Sequence, residues 1–152
     1  LRLLLDCGCE LQSKSSVGMT TLHYVVQKGS QDAILLLIDR GVDLEVSSNF
    51  GWTALHFAAR YSTEPTVRLL LDRGANINAK TNADLSPMHM AACNQDAAPL
   101  RLLLDRGSDL ECKEQNGWTA LHYAARYSTS EQTVRLLLDH GASICAETGN
   151  RL

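Results

Sequence analysis

The sequence predicts an all-α array of stacked two-helix units, and three observations predict it. The string Gly-Trp-Thr-Ala-Leu-His at residues 51–56 returns at 117–122. Histidines stand at 23, 56, 89 and 122, a constant step of 33. A leucine-rich run ends at Gly8, Gly41, Gly74, Gly107 and Gly141, with steps of 33, 33, 33 and 34. Self-similarity at a period of about 20–50 residues marks a chain built by stacking one supersecondary unit on the next.

Each unit justifies its elements in the same order. Thr20, Thr53, Ser86 and Thr119 precede short apolar stretches, where a hydroxyl caps the N-terminus of a helix. Pro87 falls at a first helical position, where the missing N–H costs least. This first helix is brief and ends in small residues, Ala58-Ala59, Ala91-Ala92 and Ala124-Ala125, which let a second helix come close. The second helix carries the leucines, as in Val67, Leu69, Leu70 and Leu71, with Pro65 and Pro99 tolerated near its start. Gly41, Gly74, Gly107 and Gly141 end it, where a left-handed cap favours glycine. Turn-like residues then lead to the next cap. The one extra residue of the 34-residue step lies within 128–132, where Tyr-Ser-Thr-Ser-Glu-Gln-Thr-Val replaces Tyr-Ser-Thr-Glu-Pro-Thr-Val.

At these residues the chain resembles the ankyrin repeat family. The match rests on the 33-residue period, on Thr-Ala-Leu-His-Phe-Ala-Ala from Thr53 and Ser-Pro-Met-His-Met-Ala-Ala from Ser86, and on Leu69 through Ala79. The resemblance implies a curved solenoid of helix–turn–helix units joined by β-hairpin-like loops. It implies a single domain over residues 1–152, with repeats at about 9–41, 42–74, 75–107 and 108–141 and partial repeats at 1–8 and 142–152. It also implies binding of other proteins along a concave face of hairpin tips and first helices, with no catalytic residues. Neither end carries the polar cap that keeps a solenoid soluble. The sequence therefore reads as a piece of a longer array, with further repeats expected beyond both ends.

Composition limits what such an array does. The 152 residues carry a formal net charge of −3 and are 45% hydrophobic and 20% charged, values of a soluble globular chain rather than a disordered one. Fourteen Lys and Arg against seventeen Asp and Glu leave no basic excess to hold nucleic acid. No apolar run approaches the roughly 18 residues of a membrane helix, so neither nucleic acid nor membrane insertion is expected. Five cysteines, an odd number without a Cys-x-x-Cys pair, argue against a disulfide framework or a zinc module. Cys112 and Cys145 lie one repeat apart, and Cys7 and Cys9 are too close for an easy bridge. Free thiols point to a reducing, intracellular compartment, cytoplasmic or nuclear.

The spaced histidines read as framework. Equivalent residues of stacked repeats sit a helix-packing distance of ~8–10 Å apart, whereas zinc ligands lie ~2 Å from one ion. Each imidazole is instead three residues past its capping hydroxyl, within reach of a bond back to it. His89 and Cys93, four apart, lack a third group to make a nucleophilic or metal site. No cofactor is expected. In the family, an asparagine in the hairpin position of Asn78 can be a substrate for asparaginyl hydroxylation; the alternative for Asn78 is a turn held by its own backbone bonds.

The candidate binding residues follow from register. Met19, Trp52, Leu85 and Trp118 share one position just before the caps, which the resemblance puts at the hairpin–helix junction on the concave side. Arg60-Tyr61 and Arg126-Tyr127 follow the alanine pairs, with Lys28 and Asn94 among their counterparts; Phe50 joins them at a hairpin tip. Trp, Tyr and Arg dominate binding hot spots. Tyr24, Phe57, Met90 and Tyr123 share another register, assigned to packing between repeats. First helices hold Lys28, Arg60 and Arg126 and no acid, so the floor of the face is cationic and its hairpin rim acidic. This favours an acidic or aromatic ligand. The expected function is a non-enzymatic scaffold for a partner protein or peptide. The alternatives are the regulatory or targeting arm of a larger enzyme, receptor or channel, and a structural, elastic spacer.

Overall fold

The computed structural model describes residues 13–146 and Thr148. The partial repeat expected at 1–8, Cys7 and Cys9, and the end of the partial repeat at 142–152 lie outside the described residues.

Eight helices run in pairs: α1 (Thr21–Lys28) with α2 (Gln31–Asp39), α3 (Ala54–Tyr61) with α4 (Glu64–Asp72), α5 (Pro87–Ala92) with α6 (Ala98–Asp105), and α7 (Ala120–Tyr127) with α8 (Glu131–Asp139). No strand occurs among the described residues. The connecting loops turn like hairpins but build no ladder. Ser48 N–H donates to Trp52 O at 2.9 Å and Gly51 N–H to Ser48 O at 2.9 Å, and the loops of the third and fourth repeats repeat the first bond from Thr81 to Leu85 and from Glu114 to Trp118.

The helix signals act as their chemistry dictates. Each first helix opens with a reciprocal cap: the hydroxyl of Thr20, Thr53, Ser86 or Thr119 takes a backbone N–H, and the histidine three residues on takes the cap residue's own N–H. Pro87 stands at the first position of α5, and Pro65 and Pro99 fall in the first turns of α4 and α6. Second helices close in a left-handed glycine, as at Gly74 (φ 90°). There Ala75 N–H reaches back to Leu70 O at 3.0 Å, the six-to-one bond of a Schellman ending.

One hydrophobic core threads the stack, with Leu22, Ile34, Leu37, Leu55, Leu70, Met88, Leu100, Leu103 and Leu137 closed off from solvent. First helices pack in an unbroken row, α1 on α3, α3 on α5 and α5 on α7, whereas among second helices only α4 and α6 make substantial contact. Stacking is thus closest along the first helices, the inner side of the array.

The histidines join the repeats. Thr20 N–H donates to His23 Nδ1 at 2.9 Å, and His23 Nε2 lies 3.1 Å from Trp52 O in the next loop. A carbonyl only accepts, so Nε2 carries the proton and donates. His56 reaches Leu85 O at 3.0 Å and His89 reaches Trp118 O at 3.0 Å in the same way. Burial pushes the pKa of His23, His56 and His89 below the ordinary imidazole value, that of His56 to about 4, with the carbonyl bonds opposing the shift. Hairpin tips are stitched as well: the side-chain amides of Asn49, Asn82 and Gln115 donate to Ser16 O, Asn49 O and Asn82 O, each 33 residues back. Gly51 (φ 79°) is required by that stitching, because a Cβ there would stand 2.5 Å from the backbone N of Asn82.

Candidate functional site

The sequence-predicted residues divide into two aromatic clusters on the inner side and a repeat between them. The first cluster is built by the loops of the first two repeats and by α3. Val17, Met19, Ser48, Phe50, Trp52, Phe57 and Tyr61 line a cleft of about 270 Å3. Its rings support one another: Trp52 lies 5.0 Å from Phe57 and 6.4 Å from Tyr61, the latter stacked. Phe50 is 67% exposed and Tyr61 51%, so the aromatic surface opens to solvent. Sequence reasoning missed Val17. Its signal was available, since Val17 precedes Phe50 by one full repeat and occupies the same tip position.

The second cluster, on the fourth loop and α7, uses the same register with different results. Glu114, Asn116, Trp118, Tyr123, Arg126 and Tyr127 line a cleft of about 300 Å3. Trp118 meets Tyr123 edge-on at 5.7 Å. Arg126 lies over Trp118 at 5.6 Å and over Tyr127 at 5.4 Å, cation–π distances. The Glu114 carboxylate turns into its own loop, accepting Asn116 N–H at 2.8 Å, Trp118 N–H at 3.0 Å and Asn116 Nδ2 at 3.1 Å. Burial first, and the Glu114 charge second, push the Tyr123 phenol up to about 12, so it keeps its proton at all physiological pH.

Several expectations are corrected or refined by position. Asn94 is not offered to a ligand: it is buried, and its amide donates to Ala59 O at 3.0 Å and Ser62 O at 3.1 Å. A short α5 lets residue 94 turn back onto the preceding repeat. Arg60 is half-buried and donates through Nη1 to Cys93 O at 2.8 Å while covering Tyr61 at 5.3 Å, so the cationic floor is weaker at the first cluster than charge placement implies. Leu85 and Met19 are half-buried, and Lys28 is exposed at the end of α1. The packing register divides: Phe57 and Met90 are buried and Tyr123 half-buried, while Tyr24 is exposed. Phe57 meets His23 edge-on at 5.2 Å and Tyr123 meets His89 at 5.3 Å, so these rings pack on the histidine of the preceding repeat.

The remaining chemistry-bearing groups are engaged in structure. Both nitrogens of His89 are bonded, and burial raises the Cys93 thiol, keeping it protonated. Asn78 Oδ1 accepts Asp109 N–H at 3.3 Å, tying one loop to the next. Cys93, Cys112 and Cys145 are free thiols. Among the described residues no three His, Cys, Asp or Glu side chains converge to hold a metal ion, and no helix is long and apolar enough to cross a membrane. A further cleft, of about 460 Å3, lies between α6 and α8 and is lined mainly by charged residues such as Arg101, Arg135 and Asp139. It is the gap left where second helices splay apart, without the aromatic anchors of the inner side.

Comparison with curated proteins returns no significant match. A family model described as ankyrin repeats (3 copies) matches residues 1–81 and 78–148. With the period, the reciprocal histidine caps and the paired helices in place, the chain belongs to the ankyrin repeat family.

Proposed function

We propose that this chain is a non-enzymatic interaction module that binds a partner protein or peptide on its concave side. Ankyrin repeats are generally protein–protein interaction modules. The observation that carries the finer reading is where the exposed aromatics lie. Tyr24, Phe50, Tyr61 and Tyr127 are all exposed on loops or first helices, and the second helices contain no aromatic residue. Aromatic side chains supply large contact area at low entropic cost. The helices that present them are fixed by stacking, so binding orders little more of the chain. The free thiols support a reducing, intracellular setting, cytoplasmic or nuclear.

The test is binding of a captured partner to four forms of the chain. These are the parent, Arg60→Ala/Tyr61→Ala, Arg126→Ala/Tyr127→Ala, and all four substitutions together. Each pair is expected to weaken binding by tenfold or more, from about 2 kcal/mol per lost anchor, with circular dichroism unchanged. Parent-like affinity in the quadruple variant overturns these anchors and puts the interaction on the hairpin tips or the outer helices.

A further inference from the structure

The two aromatic clusters are near-copies in sequence and unlike in chemistry. At the first, the tip residue is Phe50, and Ser48 is the one polar residue in a lining of Val17, Met19, Trp52, Phe57 and Tyr61. Its arginine lies over Tyr61 and spends a donor on the next repeat, at Cys93 O. At the second, Asn116 stands in the tip position and Glu114 in that of Ser48. Its arginine is exposed and makes no ion pair or hydrogen bond among the described residues; Trp118 and Tyr127 hold it from below. The neighbouring Glu114 makes no ion pair with it: that carboxylate is buried and bonded within its own loop, while its charge bears on the Tyr123 phenol.

We propose that the clusters read different groups: the first takes one bulky apolar side chain of an extended peptide, the second a carboxylate. This rests on the interaction reading above and adds the partner's chemistry. An apolar cleft of about 270 Å3 equals the volume of roughly nine waters at ~30 Å3 each, room for one large side chain. A guanidinium with its donors unbonded matches the planar fork of a carboxylate. Two repeat steps separate the clusters by ~16–20 Å, at ~8–10 Å per packed layer. An extended chain at ~3.3 Å per residue covers that in about five or six residues. In the repeat between, the counterparts of the cluster residues lie low: Leu85 and Ala83 are half-buried and Asn94 is buried. A given peptide therefore sits in one orientation, because exchanging its ends puts the carboxylate in the apolar cleft.

A library of random twelve-residue peptides displayed on phage tests this on the full 152-residue chain. The selected peptides are expected to pair one bulky apolar residue with one Asp or Glu five or six positions away. Arg126→Glu is expected to replace the acidic preference with Lys or Arg while retaining the apolar one. Phe50→Asn is expected to erase the apolar preference and retain the acidic one. By fluorescence anisotropy, Arg126→Glu weakens a selected acidic peptide by about tenfold or more. Both residues are exposed, so helical circular dichroism checks that the fold persists. Selected peptides carrying the same class of residue at both positions, or an acidic preference that survives Arg126→Glu, overturn this inference and leave the interaction reading standing. Failure to select any peptide overturns the interaction reading itself.

Discussion

Helices α3 and α7 read Ala-Leu-His-Phe-Ala-Ala-Arg-Tyr and Ala-Leu-His-Tyr-Ala-Ala-Arg-Tyr. In α3 six of the eight residues are buried, Ala54 through Ala59; in α7 only Ala120 and Ala124 are. The difference lies in the surroundings. Helix α3 is held between α1 and α5, while among the described helices α7 has α5 on one side and its own partner α8. In a stack, a side chain's burial is conferred by the repeat next to it, so two copies of one sequence take different energetic roles. The arginines show the same rule: Arg60 finds the carbonyl of the following repeat, and Arg126 folds over its own rings.

The sharpest way to break the comparison is paired truncation. Leu55 is fully buried and Leu121, its copy, is half-buried. Leu55→Ala is expected to cost about 2–5 kcal/mol, and Leu121→Ala nearer 1 kcal/mol. Urea midpoints measure both, and equal losses would show that neighbours do not set the value of a position. Acid is the second lever. An unfolded histidine takes its proton near pH 6.5, but folded His56 does so only at about 4, because burial disfavours the charge. Between those values the unfolded chain binds more protons, so stability is complete above about pH 6.5 and falls as pH drops toward 4. His56 alone accounts for about 3 kcal/mol, at roughly 1.4 kcal/mol per pH unit, and His23 and His89 add in the same direction. A flat profile of urea midpoint from pH 7 to 4.5 would contradict this. The smallest effect is a control in which the two copies agree. The hydroxyls of Thr66 and Thr133 are both buried without a hydrogen-bond partner. Thr66→Val and Thr133→Val are each expected to stabilise by about 1 kcal/mol, read as a rise in thermal midpoint. Opposite signs would mean that those sites differ after all.

Fold and framework were legible because they are written periodically. The capping hydroxyl, the histidine three residues on and the closing glycine recur at one spacing, and each has a local chemical reason to be there. The site was legible only as a set of registers. Trp52, Tyr61, Trp118 and Tyr127 were singled out by residue type and position, and the fold gathers them into the two clusters. Asn94 was misplaced because its burial comes from contacts with residues 59 and 62, about one repeat away in sequence. The unlike character of the two clusters escaped for a related reason. It depends on Phe50 against Asn116 at a tip position, and on where an arginine finds a carbonyl 33 residues later. Comparing the tips, Val17, Phe50, Ala83 and Asn116, would have revealed the first difference; no local pattern reveals the second.

The bond from each buried histidine to the following loop also sets a timetable for synthesis. His23, His56 and His89 each find their carbonyl 29 residues further along the chain. A ribosome adding about 5–20 residues per second takes roughly 1.5–6 s to supply that acceptor. Through that interval the imidazole has its cap but lacks its far partner, and the apolar side of the newest helix pair lacks its cover. The emerging polypeptide is thus always one hairpin short of closure, and each newly made segment finishes the unit translated before it.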